Sequence, residues 1–120
     1  IKMYIMKTLL DIRKTEREIF EKGDIFPLHV YNSHKRCLFA FARSFKDKVL
    51  VVTVPRFTSG LVDPGTYPTG TEIWKDTSIN MDNLCGDYRN VFTNSNMRLG
   101  HTTFAGKILN KFPVGVFTKI

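Results

Sequence analysis

The hydrophobic period of this chain changes once, at Gly23. Before it, apolar side chains recur at helical spacing over residues 1–21. Ile1, Ile5, Leu9, Ile12 and Ile19 fall close to one face, and Met3, Met6 and Leu10 form a second stripe beside it. The first three turns are therefore apolar over a wide arc, wider than a single sheet face requires. Beyond Leu10 the pattern turns charged, and "RKTERE" reads as a solvated face with local ion pairs. The spacing predicts a helix without a starting cap, buried at its start and emerging toward its end. Lys22 and Gly23 supply a basic last turn and a residue tolerant of left-handed geometry, so the helix stops there.

After Gly23 the period falls to two. "IFPLHVYN" (25–32), "RCLFAFARSF" (36–45) and "KVLVVTVPRF" (48–57) are rich in β-branched and aromatic residues and are separated by polar turns. In the second run Cys37, Phe39 and Phe41 point one way while Leu38, Ala40 and Ala42 point the other. Both faces are apolar, so this strand and "VLVVTV" after it are expected to be central. The spacers "NSHK" and "FKDK" predict two consecutive hairpins. Residues 58–70 are dense in Gly, Pro and Thr and read as a surface loop, with a turn at Asp63-Pro64-Gly65. Strands are then expected over 71–81, 88–95 and 96–100, and a last one opens at Pro113. One helix followed by six to eight strands predicts a mainly β protein, an antiparallel β-sandwich or barrel-like domain.

Length and composition narrow the class. At 120 residues the chain is one domain with room for a real core, and its composition is that of an ordinary globular protein. No apolar run approaches bilayer length, so no membrane partner is expected. Lys2 and Lys7 interrupt the start and no signal peptide is recognisable. A first residue of Ile fits a piece of a longer chain. Cys37 and Cys85 form no C-x-x-C pair; Cys37 is expected to be a buried free thiol, in a reducing, cytoplasmic setting. The net charge of +7 raises the question of nucleic acid. Residues 1–60 hold 12 Lys/Arg against 6 Asp/Glu, and residues 61–120 hold 6 against 5. Yet the only basic doublets are Arg13-Lys14 and Lys35-Arg36, and acids interrupt the rest, so no nucleic-acid partner is expected.

Candidate chemistry is sparse. No G-x-S-x-G is present, and His29, His34 and His101 have no motif around them. No pair of His, Cys or carboxylates has metal-ligand spacing, so no metal and no cofactor are expected. Asp76, Asp82 and Asp87 read as turn residues. Tyr67 in the loop and Trp74 in "EIWKD" are the candidates for stacking on a sugar ring or a base. A lone Trp in a small domain is more commonly a core anchor.

Many of these short stretches occur together, in the same order, in one known family. Glu18-Ile19-Phe20, Gly23-Asp24, Pro27-Leu28, Ala40-Phe41-Ala42-Arg43 and Val54-Pro55-Arg56 resemble the pattern of the maltooligosyl trehalose synthases. Trp74, Asp76 and Thr77, then Val91–Thr93, and a closing Leu109 with Phe112–Val114 also resemble it, over essentially the whole chain. The departures are at Thr15, where the family often has a longer charged run, and at Ile25, where an aromatic is usual. The family belongs to the α-amylase-like glycoside hydrolases, with a catalytic (β/α)8 barrel and a C-terminal β-domain. The resemblance implies that residues 1–23 are the terminal barrel helix and linker, and residues 24–120 the C-terminal antiparallel β-domain.

Members of the family convert the reducing-end α-1,4 linkage of a maltooligosaccharide to an α,α-1,1 linkage with retention. Retention requires two carboxylates about 5–5.5 Å apart on barrel loops, and a barrel takes about 250 residues. None of the family's catalytic motifs matches a position here, so the resemblance implies no catalytic residue. The partners it implies are the missing barrel of the same chain and, in the parent enzyme, the maltooligosaccharide. The alternative is an independent carbohydrate- or nucleic-acid-binding β-module that uses Tyr67, Trp74 or the basic first half.

Overall fold

The computed structural model describes residues 2–15, 17–32, 34–46, 48–56, 69–81, 84–110, 112 and 114–120. The predicted first helix is described as α1 (Lys2–Thr15) and α2 (Arg17–Lys22), on either side of Glu16, which lies outside the described residues, and helical structure ends at Gly23 as its composition requires. Arg17 and Glu21 pair at 3.2 Å across one turn of α2, an exposed i,i+4 contact worth a few tenths of a kcal/mol.

Two antiparallel sheets follow. The larger has strand order β1-β3-β4-β9-β6-β7, built from β1 (Asp24–Pro27), β3 (Leu38–Phe45), β4 (Lys48–Pro55), β6 (Gly86–Asn90), β7 (Ser95–Leu99) and β9 (Gly115–Lys119). The smaller has order β2-β5-β8, from β2 (Val30–Tyr31), β5 (Ser78–Asn80) and β8 (Thr102–Phe104). Two short helices, α3 (Thr71–Trp74) and α4 (Ala105–Ile108), complete the described elements. The mainly β class, with an N-terminal helix and antiparallel sheets, is thus the one the periodicity predicts.

The large sheet is a middle layer. Leu38, Ala40 and Ala42 of β3, Val49 and Val51 of β4, Tyr88, Leu99 and Phe117 share one face. That face packs against Ile79 of the small sheet and against Trp74, Ile108 and Leu109. The register puts Leu50, Val52 and Val116 on the opposite face, where they pack with Ile12 of α1 and with Phe92. β4 and β9 are buried on both faces, which explains the unbroken apolar run "VLVV". β3 is central in its pairing, but only one of its faces is fully covered.

Several elements differ from the prediction. Residues 25–32 are not one strand: β1 pairs with β3, and β2 crosses to pair with β5 in the other sheet. The chain can divide here because Leu28 donates its N–H to Ala40 O while Asn80 donates to His29 O, tying adjacent residues to different sheets. The "FKDK" hairpin forms with Phe45 opposite Lys48, and Lys46 takes the positive φ of 56° that tight hairpins favour. The "NSHK" hairpin does not form as such. Asn32 at φ 78° and a 3-10 turn at Lys35–Cys37 belong to a longer connection containing β2.

The stretch predicted as a strand over 71–81 begins as helix α3. Trp74 N–H bonds to Gly70 O, Lys75 at φ 53° halts the turn, and β5 starts only at Ser78. Burial of the Trp74 ring overrides the β propensity of "TEIW". β8 and α4 were not predicted; each is three or four residues long, too short for a periodic signal. Asn94, at φ 54°, closes the four-residue turn between β6 and β7. Cys37 is half-buried rather than buried, because it ends the 3-10 turn and not a strand interior; Cys85 is half-buried too, and no disulfide joins them. The loop expected over 58–70 lies largely outside the described residues. The last strand is present as β9, starting at Gly115, and Pro113 itself lies outside the described residues.

Two consequences can be measured. A Cβ on Gly106 would lie 2.6 Å from Thr71 Cα and 2.9 Å from its N, against backbone that cannot swing aside. Gly106→Ala should therefore lower stability by about 1–2 kcal/mol, since overpacking of about 1–3 kcal/mol outweighs a helix-propensity gain near 1 kcal/mol. Urea unfolding followed through Trp74 emission reads it directly. Tyr88 is fully buried and donates to Leu84 O at 2.6 Å. Burial pushes its hydroxyl from the ordinary 10.0 up to about 12, with Cys85 acting in the same direction. The unfolded chain thus releases this proton first. The stability Tyr88 confers is whole below pH 10 and is lost as the pH rises through about 12. In Tyr88→Phe that alkaline decline should flatten, while neutral stability falls by about 1 kcal/mol for the orphaned carbonyl.

Candidate functional site

The feature that asks for a partner is the outer face of α1. The helix meets the large sheet along one narrow line at four-residue spacing. Tyr4 Oη donates to Phe92 O at 2.9 Å, Thr8 is half-buried, and Ile12 is 7% exposed. The Tyr4 ring packs edge-on against Phe112 at 5.8 Å and tilted against Phe92 at 5.9 Å, and those two rings stack at 4.7 Å. An aromatic cluster at the end of the sheet therefore fixes the start of α1, while the aliphatic contact at Ile12 fixes its last turn.

The second apolar stripe is uncovered. Met3 is 85% exposed, Met6 56% and Leu10 57%, and Leu9 lies beside them partly exposed. This reverses the expectation of a helix buried at its start, and the reason is geometric: a helix offers a flat sheet only one stripe, and this helix carries two. Scattered exposed apolar residues are ordinary, but three at i, i+3 and i+7 on one helix face form a contiguous patch. At the C-terminal end of the patch Leu10, Arg13, Lys14, Arg17 and Glu21 line a groove, so the apolar stripe ends in a basic rim.

The predicted site residues are elsewhere. Trp74 is 0% exposed, at the centre of the core between the sheets, and offers no ring face to solvent. Tyr67 lies outside the described residues. His29 is exposed at the start of the connection to β2, where its ring lies 6.3 Å from that of Tyr31, and His34 donates its N–H to Thr77 Oγ1 at 3.0 Å. His101 is remote from both in sequence and sits in a bend before β8. Asp87 pairs across the strands with Arg98 at 3.5 Å, and Asp82 lies outside the described residues. Among the described residues no three His, Cys, Asp or Glu side chains are grouped to hold a metal ion. No helix among them is long and apolar enough to cross a membrane. Tyr4 is not among the sequence-predicted residues, although the spacing Tyr4, Thr8, Ile12 places it on the covered stripe.

Together these features define an antiparallel β-domain whose central sheet is roofed on one face by a helix with an unfilled apolar side. A domain with this fold is present in a solved structure of a mutant maltooligosyltrehalose synthase from Arthrobacter ramosus, with a TM-score of 0.66 and 17% sequence identity. The match covers 91% of this chain and 12% of that one, so the chain spans about an eighth of the length of the protein it matches. No family model matches the sequence, and no curated protein matches it.

The unfilled stripe predicts self-association of the chain by itself. Leu10→Lys and Met6→Lys should each shift the sedimentation profile toward monomer while changing stability by no more than about 0.5 kcal/mol, because both side chains are exposed. Ile12→Lys, on the covered stripe, should instead unfold the α1 contact.

Proposed function

We propose that residues 24–120 are the non-catalytic C-terminal β-domain, and residues 1–23 the terminal barrel helix and linker, of a maltooligosyl trehalose synthase. The observation that carries this reading is the fold likeness, which covers 91% of this chain and occupies only 12% of the larger enzyme. The ordered sequence resemblance points the same way, although 17% identity is shared with the neighbour. The uncovered stripe Met3, Met6, Leu10 supplies the physical complement: a barrel seated there would bury three large side chains, each worth roughly 1.5–3 kcal/mol on full burial.

In this reading the domain takes no part in bond chemistry. The parent enzyme would isomerise the reducing-end α-1,4 bond of a maltooligosaccharide to α,α-1,1, as a step of trehalose formation. Its carboxylate pair would stand on the barrel's loops. The β-domain would act as a rigid cap that closes the apolar side of the barrel's last helix. Full burial of Trp74 favours this scaffold role over a free-standing glycan module, which needs an open aromatic face.

The test is the size of the native polypeptide in a source-cell extract, by immunoblot with antibody against this chain. A band several times larger than 13.8 kDa, co-purifying with conversion of maltoheptaose to a non-reducing product, is the expected result. A band at 13.8 kDa alone would sink the proposal.

A further inference from the structure

A second surface, at the start of β3, has a different chemistry. The 3-10 turn Lys35–Cys37 and the end of β4 are separated in sequence but clipped together. Arg56 donates its backbone N–H to Cys37 O at 2.7 Å and its Nε to Arg36 O at 3.1 Å. Its guanidinium lies over the Phe39 ring, 5.9 Å from the centroid, and Phe39 is itself 44% exposed. The turn is anchored from behind: His34 N–H bonds to Thr77 Oγ1 at 3.0 Å, and Asn32 Nδ2 donates to Asp76 O at 2.8 Å. These bonds hold in one place a shallow groove of about 270 Å³ lined by Lys35, Arg36, Arg56, His29 and Phe39 together with four aliphatic residues, with no carboxylate among its described lining residues.

We infer that this groove binds a phosphate monoester carried on a sugar-like ring. Three cations converging on one groove suit a dianion with three acceptor oxygens better than a single-charged carboxylate. A half-exposed aromatic face next to them suits the C–H face of a ring. The site is preformed, since Arg56 is held both by the turn carbonyl and by Phe39, so little side-chain entropy is lost on binding. Its volume lies just below the usual range of ligand pockets, which limits the occupant to one small ligand. An extended nucleic acid would need a basic stripe, and the next doublet, Arg13-Lys14, belongs to α1 rather than to this groove. The inference does not depend on the parent enzyme proposed above.

The experiment is an NMR titration of the isotope-labelled 120-residue chain with glucose 6-phosphate, inorganic phosphate and glucose in parallel. Glucose 6-phosphate should give saturable shifts centred on Lys35, Arg36, Phe39 and Arg56, inorganic phosphate weaker ones, and glucose none. Arg36→Gln and Arg56→Gln should each weaken binding about tenfold, the loss of one charge-assisted contact. Phe39→Ala should bring the sugar phosphate down to the affinity of inorganic phosphate. Arg36 is exposed on the turn, and unchanged Trp74 emission in Arg36→Gln separates lost binding from lost folding. Shifts that rise linearly and spread over the remaining lysines and arginines would overturn the inference. So would affinity that survives Arg36→Gln. A single-stranded oligonucleotide that displaces the sugar phosphate and extends the shifts to Arg13 and Lys14 would also overturn it.

Discussion

The structure depends on the two-sided burial of β4 and β9. Val51 and Phe117 face the core between the sheets, while Leu50, Val52 and Val116 face the helix. A sheet apolar on both sides is stable in water only as a middle layer, so each face must find a cover. The small sheet, α3 and α4 cover one face, and α1 covers the other. Placing β9 between β4 and β6 puts the last of the described strands at the centre, and this joins β1, β3 and β4 to the β6–β7 hairpin.

The two covers are not equivalent. Between the sheets lies a dense core closed by Trp74, Tyr88 and Phe117, all fully buried. Under α1 the contact is narrower and is supplied by an aromatic cluster at one end and Ile12 at the other. A helix held along one stripe is left with a second apolar stripe to place. The same feature that makes α1 an adequate lid for the sheet thus makes it an unfinished surface, and it connects the fold to the proposed place of this domain in a larger enzyme.

How far the sequence revealed the site depends on which kind of pattern carried it. The outer stripe Met3, Met6, Leu10 was visible at once, because helical spacing alone sorts residues onto faces. Trp74 was misplaced in a strand: "TEIW" has β propensity, and nothing local announces that its ring closes a core. The groove beside Phe39 left two faint marks, the Lys35-Arg36 doublet and Val54-Pro55-Arg56, with no local pattern joining them. Their meeting is a matter of β3–β4 register and of the hydrogen bonds that pull Arg56 onto the turn.

What the sequence by itself determined was the change of period at Gly23, the helix before it, the three apolar runs after it and the hairpin at Lys46. Each follows from side-chain alternation or turn chemistry over a few neighbouring residues. What only the tertiary structure decided was the choice of partners. It divided residues 25–32 between two sheets, placed β9 in the centre, turned "TEIW" into a helix and left one stripe of α1 uncovered. Partner choice rests on which distant surfaces can be buried together, and periodicity within a segment says which face is apolar without saying what will meet it.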